Sequence, residues 1–137
     1  MTRRTIRTYR DSGVLITAYN GIPELKEQAL RINEDPDRVF LCSPFVRLET
    51  TPNALFNKRG EEHRFHQMYF RRTVMTNDLK LILGHGFMEA ASSGVGPMDA
   101  LHLAAAHLLK ANEFITTEKP GKSIHRSSLV KVVYLFS

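Results

Sequence analysis

The sequence predicts an α/β fold with a short, mostly parallel central sheet and helices on both faces. Short, continuously apolar segments recur along the chain, as is typical of strands buried on both faces of a parallel sheet. Segments with apolar residues at helical spacing lie between them, as in successive strand and helix units. A chain of 137 residues with 42% apolar residues can bury one core of two or three layers. We therefore expect a single domain over residues 1–137.

The first half of the chain alternates strands and helices. Its first strand contains β-branched and aromatic residues, and Ser12 is a suitable N-cap for the helix that follows. Pro23, at a first helical position, opens the second helix. Ser43 and Pro44 supply a cap and a first helical position immediately after an apolar strand. The predicted elements are a strand at 5–9, helices at 13–19 and 24–33, a strand at 39–42 and a helix at 44–50.

The second half is predicted to be mostly helical. Phe65, Met68, Tyr69 and Arg72 recur on one side of its first helix, a pattern that favours packing on the core and leaves contact with RNA or with a protein partner as alternatives. The glycine-rich stretch 94–97 is a turn before a helix that packs through alanines. The predicted elements are helices at 61–72, 77–91 and 98–110, and strands at 114–117 and 130–136. In the helix at 77–91, the apolar residues that recur at helical spacing are Leu79, Ile82, Leu83, Phe87 and Ala90.

The composition excludes several classes of protein. Its apolar fraction argues against disorder, and apolar runs such as 132–136 are far shorter than the roughly 20 residues that a membrane-spanning helix requires. The basic first ten residues are not followed by the apolar run of a signal peptide. The only cysteine, Cys42, cannot form an intramolecular disulfide. We expect a cytoplasmic protein without a membrane span, with Cys42 as a small core residue.

The net charge of +5 is unevenly distributed. The first ten residues carry four arginines (Arg3, Arg4, Arg7 and Arg10) and no acid, so the rest of the chain nets only +1. Positive patches are compatible with a polyanion such as nucleic acid, although basic stretches are more often simply solvated. The candidate RNA-binding residues in the later basic patches are Arg71, Arg72, Lys119 and Lys122.

Four acids follow strands or lie in helices just beyond them: Asp11, Glu49, Asp99 and Glu118. Ligands of an open parallel sheet bind outside the carboxyl ends of its strands, so these side chains are candidates for a common site. No nucleophile accompanies them at a recognisable spacing, and carboxylates are the ligands that hard cations such as Mg²⁺ or Mn²⁺ prefer. Taken singly, each acid has an ordinary alternative; Asp99, for example, suits the positive end of its helix.

Three histidines have simpler interpretations than metal binding. His63 and His66 are three residues apart on one predicted helix, but no third zinc ligand lies at the usual spacing, so solvated positions are expected. His102 lies one turn after Asp99, where packing or a surface position is the simpler interpretation.

The chain resembles the PIN-domain ribonucleases, and within them the small VapC-like toxins. The segments that carry the resemblance are Tyr9–Ile16, Cys42–Glu49, Met98–Ala106 and Ala111–Glu118. They occur in the family's order and span nearly the whole chain. The resemblance implies a PIN-like three-layer α/β/α sandwich and a nuclease that cleaves RNA phosphodiester bonds with Mg²⁺ or Mn²⁺.

The resemblance also implies roles for individual residues and for partners. Asp11, Glu49, Asp99 and Glu118 match the family's catalytic, metal-binding acids, and Ser12 and Thr116 match its supporting polar positions. A toxin of this kind is the partner of a small antitoxin protein and is usually a homodimer.

Three residues depart from the family pattern. Arg10 replaces an apolar residue, Gly13 stands where asparagine is common, and Glu118 is one methylene longer than the usual aspartate. These departures leave an alternative open, namely a catalytically weak or inactive PIN-like module that binds RNA or a protein partner.

Overall fold

The computed structural model describes residues 5–136 and contains a five-stranded parallel sheet in the order β3-β2-β1-β4-β5. In chain order, the elements are β1 (Ile6–Arg10), α1 (Ser12–Asn20), α2 (Pro23–Asn33), β2 (Arg38–Cys42), α3 (Pro44–Phe56), α4 (Gly60–Phe70), β3 (Thr73–Met75), α5 (Leu79–Ser93), α6 (Pro97–Leu108), β4 (Glu113–Thr116), a 3₁₀ turn (Ser123–Arg126) and β5 (Val132–Tyr134). The predicted α/β class with a parallel sheet is confirmed. Arg3 and Arg4 lie outside the described residues.

The sheet separates two apolar layers, because successive residues of a strand point to opposite faces. On β4, Phe114 packs with Tyr9 in the layer that α3 and α6 cover. The next residue, Ile115, packs with Val14 in the layer that α1 and α2 cover. Strand β1 is central and pairs with β2 and β4, so its carboxyl end emerges between helices of both layers.

Apart from the end of α3, the helix ends lie within two residues of the predicted ones, and the differences at α1 and α3 have a clear physical cause. The N-cap of α1 is Asp11 rather than Ser12, since the Asp11 carboxylate accepts a hydrogen bond from the Val14 amide at 3.3 Å. Helix α3 continues beyond Thr50 to Phe56 although Pro52 lies inside it. The buried Thr50 hydroxyl donates to the Val46 carbonyl at 2.9 Å, and packing of this helix offsets the backbone hydrogen bond that Pro52 cannot form.

Helices α4 and α5 are confirmed, but the apolar residues at helical spacing mark their buried faces only in part: Ile82 is buried, and Phe65, Tyr69 and Ala90 pack against the core. Helix α4 buries Glu62, His66 and Phe70 and leaves Met68 exposed, so a solvated His66 is wrong. The buried residues of α5 are Ile82, Gly86 and Glu89, whereas Leu79, Leu83 and Phe87 are exposed. The cause in α5 is Gly86, where a β-carbon would lie 3.4 Å from the Ala100 carbonyl oxygen, so the missing side chain lets α6 approach on that stripe.

The sequence interpretation did not include β3, which pairs with β2 through Phe40 and Thr73. The strand has three residues and lies at the edge of the sheet, so it is too short to show an alternating pattern. Cys42 is buried, as predicted.

Candidate active site

The carboxyl edge of the parallel sheet brings the predicted acids toward one another. Asp11 directly follows β1, and Glu118 comes two residues after β4, the neighbouring strand. Asp99 lies in the first turn of α6, and Glu49 lies in α3. Electrostatic interactions connect Asp99 with the other three acids. These two strands and two helices therefore converge on one acidic region.

Asp11 is held at the junction of β1 and α1. Its amide donates to the Ile115 carbonyl of β4 at 3.0 Å, and one carboxylate oxygen caps α1. The other carboxylate oxygen accepts a hydrogen bond from the Thr116 hydroxyl. The same Thr116 oxygen accepts the Glu118 amide at 3.0 Å. Thr116 thus links two predicted site acids, which agrees with a supporting position.

The start of α1 lies tightly against the end of β4. A β-carbon at Gly13 would overlap the Thr117 hydroxyl oxygen and would lie 3.3 Å from an Asp11 carboxylate oxygen. Glycine is therefore required at this close approach. Position 13 holds glycine where asparagine is common in the resembling family, and Thr117 fills the space that a side chain there would need. The sequence alone did not single out Thr117.

Two of the acids have raised pKa values. Burial raises the pKa of Asp11 to about 6, and the charge of Asp99 acts in the same direction. Burial is also the main cause that raises the pKa of Asp99, followed by repulsion from Glu118 and Glu49. Carboxylates that repel one another in a partly buried region are a favourable environment for a cation.

Glu49 is held by His102, which the sequence interpretation assigned to packing or the surface. His102 Nε2 lies 2.5 Å from a Glu49 carboxylate oxygen, and this hydrogen bond lowers the pKa of Glu49. The Ser12 hydroxyl contributes to the same lowering. His102 Nδ1 lies 2.8 Å from the Tyr9 hydroxyl, on the strand that ends at Asp11. The sequence feature that could have identified His102 as a site residue is its position one helical turn after Asp99.

Arg10, the departure next to Asp11, belongs to the core and not to this site. Its guanidinium lies 4.0 Å from the centroid of the Phe40 ring and donates to Asn33 Oδ1 at 2.6 Å. Tyr69 lies on its other side, at 5.6 Å. Arg10 therefore connects β1 with α2, β2 and α4 on the sheet face opposite to Tyr9.

The predicted RNA-binding residues lie at opposite edges of the sheet. Lys119 and Lys122 follow β4, so they lie on the same side as Glu118. Arg71 and Arg72 precede β3 and therefore lie near the amino edge of a parallel sheet. All four are exposed.

The donor set fits a hard divalent cation in its chemistry. Carboxylates supply the oxygen ligands that Mg²⁺ and Mn²⁺ prefer, and a cation would relieve the repulsion that raises the pKa values of Asp11 and Asp99. Within residues 5–136, no group of three or more His, Cys, Asp or Glu side chains is arranged so that it could hold a metal ion. For these carboxylates to bind one ion together, some of the side chains must therefore change rotamer.

Two solved structures share the architecture along most of their length. One is a chain from the crystal structure of VapBC2 from Rickettsia felis bound to a DNA fragment from their promoter, with a TM-score of 0.69 and 13% identity over 94% of this chain and 98% of that chain. The other belongs to a toxin-antitoxin complex from Klebsiella pneumoniae, with a TM-score of 0.62 and 23% identity over 83% of this chain and 90% of that chain.

The chain has a PIN-like fold. The predicted resemblance to VapC-like PIN domains is thereby confirmed at the level of the fold, including the parallel sheet. The sequence itself matches no protein-family model and no curated protein. Among the described residues of this PIN-like chain, the helices are too short or too polar to span a membrane.

Proposed function

We propose that this PIN-like chain is an endoribonuclease that uses Mg²⁺ or Mn²⁺ and acts, as a single cytoplasmic domain, as the toxin of a toxin-antitoxin pair. The observation that supports it most is the convergence of Asp11, Glu49, Asp99 and Glu118 at the carboxyl edge of the sheet. Burial and mutual repulsion raise the pKa values of Asp11 and Asp99, as expected for ligands of a cation. The two structural neighbours come from toxin-antitoxin complexes, which supports the wider assignment.

The proposed roles follow from where each side chain is held. Asp11 and Asp99 bind the metal directly, Glu49 binds the metal or holds a water, and the exposed Glu118 acts through water or at a second metal. Thr116 keeps Asp11 in place, and Ser12 faces Glu49. A bound divalent cation lowers the pKa of a water molecule and neutralises charge that develops on the phosphate.

RNA would enter along the edge that carries the acids. Lys119 and Lys122 are exposed beside Glu118 and suit contacts to the phosphate backbone. Arg71 and Arg72, at the amino edge, would reach only a longer RNA that wraps around the domain.

Protein partners are proposed on the basis of exposed apolar residues. Helix α5 exposes Leu79, Leu83, Phe87 and Met88, with Phe87 79% exposed. Soluble monomers seldom expose apolar stripes of this kind. We assign the α5 stripe to a homodimer contact, and an antitoxin is the second partner that the toxin assignment requires.

A catalytically weak or inactive PIN-like module is the second candidate. The observation in its favour is that no ready-made set of three metal-binding side chains exists among residues 5–136. In this case the same surface binds RNA or a protein without cleavage.

A cleavage assay separates the two candidates. The purified chain is incubated with mixed RNAs in Mn²⁺, in Mg²⁺ or in chelator, beside an Asp99→Asn variant whose folding is verified by circular dichroism at the assay temperature. Cleavage by the wild type in metal alone, with loss in the variant, supports the nuclease. RNA binding without cleavage under any metal condition supports the module.

A further inference from the structure

A buried hydrogen-bond network connects the core to Glu49. The Tyr9 hydroxyl lies 2.7 Å from Ser43 Oγ and 2.8 Å from His102 Nδ1, and His102 Nε2 lies 2.5 Å from the Glu49 carboxylate. Ser43 Oγ also accepts the Phe45 amide at 3.3 Å as the N-cap of α3. Every member of the network thus has a partner on each side.

The chemistry of the groups gives this network a direction. A carboxylate oxygen only accepts hydrogen bonds, so His102 Nε2 carries the proton toward Glu49. When the imidazole is neutral, Nδ1 is the acceptor and the Tyr9 hydroxyl donates to it. Burial raises the pKa of Tyr9, which keeps the phenol protonated as a donor. The Tyr9 oxygen in turn accepts the Ser43 hydroxyl.

Packing holds the Tyr9 and His102 rings of the network in place. Tyr9 is fully buried and stacks on Phe114 with a centroid distance of 5.1 Å and an interplanar angle of 15°. The edge contact of His102 with Phe45 has a centroid distance of 6.4 Å and an interplanar angle of 86°. The His102 side chain is 3% exposed, whereas Glu49 is 34% exposed. The network therefore runs from a rigid core to a side chain at the surface of the site.

Each network residue shares an element with one of the acids. Tyr9 and Asp11 are joined through β1, Ser43 and Glu49 through α3, and His102 and Asp99 lie on α6. Three hydrogen bonds thus set the relative positions of three elements that carry carboxylates. A buried histidine needs a hydrogen-bond partner for each ring nitrogen, whatever the two partners are. One partner of His102 is Glu49, which is a proposed metal ligand.

We propose that Tyr9 and His102 are positioning residues that hold Glu49 for metal binding. The proposal rests on the proposed function, since it takes Glu49 as a ligand or a holder of metal-bound water. Groups that orient metal ligands typically contribute 10- to 100-fold to metal affinity or activity. Tyr9 is fully buried, so its hydroxyl acts on the site through His102 and through Ser43, the N-cap of the helix that carries Glu49.

The test measures Mn²⁺ affinity without RNA, by electron paramagnetic resonance of free Mn²⁺. Tyr9→Phe keeps the ring stack and removes the hydroxyl, and we expect affinity to fall about 10-fold. His102→Leu should lower it at least as much, whereas His102→Gln, which keeps a donor near Nε2, should recover part of the loss. Tyr69→Phe, a hydroxyl removal beside Arg10, is the matched control and should leave affinity unchanged.

A double-mutant cycle separates positioning from general stability. In a Glu49→Gln background, Tyr9→Phe should have little further effect on Mn²⁺ affinity, because the group that it positions is already altered. Thermal unfolding in chelator measures the structural cost separately. Lower stability of Tyr9→Phe with wild-type Mn²⁺ affinity would overturn the proposal, and so would additive effects on affinity in the cycle.

The failure of this proposal differs from failure of the proposed function. If Glu49→Gln weakens Mn²⁺ binding and Tyr9→Phe and His102→Leu do not, the metal site stands and the positioning role is wrong. If the wild type binds no Mn²⁺, both are wrong. Nitrogen NMR of the His102 ring tests the network without metal: Nε2 is expected to carry a proton in the wild type and in Tyr9→Phe, and a change in the Nδ1 chemical shift in Tyr9→Phe, where the hydroxyl partner of Nδ1 is lost, supports the contact between Tyr9 and His102.

Discussion

Gly13 lies so close to Thr117 that a β-carbon at position 13 would overlap the threonine hydroxyl and would lie 3.2 Å from its Cβ. Rotation of Thr117 relieves the overlap poorly, because a β-branched residue places a heavy atom at two of its three staggered positions. The contact joins the helix that Asp11 caps to the strand that supplies Thr116. It therefore sets how closely the start of α1 approaches the chain at the end of β4.

Gly13→Ala should destabilise the protein by about 1 to 3 kcal/mol, the usual cost of overpacking. Urea unfolding measures this change. Gly13→Ala combined with Thr117→Ala should recover part of the loss, and Gly84→Ala, in the open interior of α5, should be neutral or stabilising. A Gly13→Ala protein as stable as the wild type would show that the approach is loose.

The sequence predicts the main elements of this fold because their signals are local. Pro23 and Ser43 mark the starts of α2 and α3, and the run at 39–42 marks a buried strand. The buried faces of α4 and α5 depend on which stripe meets a neighbour. Gly86 decides this for α5 by an absent side chain, which a search for apolar residues does not register.

The candidate site likewise contains residues that local sequence signals identify and residues whose roles depend on tertiary distances. The four acids are evident because parallel strands place their carboxyl ends at one edge. The roles of Tyr9 and His102 depend on distances between β1, α3 and α6, which no sequence spacing specifies. In the sequence, Arg10 is a departure from the family pattern directly before Asp11. In the structure, strand alternation directs the Arg10 side chain to Phe40 and Asn33 on the opposite face of the sheet.

The raised pKa of Asp11 predicts the pH dependence of the metal-free protein. A carboxyl whose folded pKa is about 6 binds more protons when folded than when unfolded, so its contribution to stability is complete below about pH 4 and is lost as pH rises through 6. Asp11→Asn removes this loss while keeping a suitable N-cap. In chelator, the stability of Asp11→Asn relative to wild type should increase between pH 4 and pH 7 by on the order of 2 kcal/mol. A difference independent of pH would contradict the raised pKa.

The position of the basic residues predicts which of them contact RNA. Each phosphate contact to a single strand contributes about −0.7 to the slope of log affinity against log salt. Lys119→Ala with Lys122→Ala should make the slope shallower, as measured by fluorescence anisotropy with a catalytically inactive variant. The matched pair Arg71→Ala with Arg72→Ala should leave the slope for a short RNA unchanged. The opposite result would place the RNA at the amino edge of the sheet.

Glu118 is an exposed member of the acidic group, and the length of its side chain predicts a graded response of RNA cleavage to substitution. Glu118→Asp restores the residue that is usual in the resembling family and should preserve or raise RNA cleavage. Glu118→Gln should lower cleavage because an amide is a weaker ligand for a hard cation. Initial cleavage rates in Mn²⁺ distinguish the three proteins, and equal rates would remove residue 118 from the site.

Asp99 interacts with all three other acids, so its substitution should change stability in opposite directions with and without metal. In chelator, Asp99→Asn should melt higher than the wild type because repulsion from Asp11, Glu49 and Glu118 is relieved. A metal ion that binds only the folded state, at a concentration 100 times its Kd, stabilises the wild type by about 2.7 kcal/mol. Asp99→Asn should gain much less stability from the metal and should lose RNA cleavage by orders of magnitude. Scanning calorimetry with Mn²⁺ or chelator measures both shifts. If Asp99→Asn is less stable in chelator and Mn²⁺ shifts both proteins equally, Asp99 acts only on the dipole of α6 and the acids do not form a metal site.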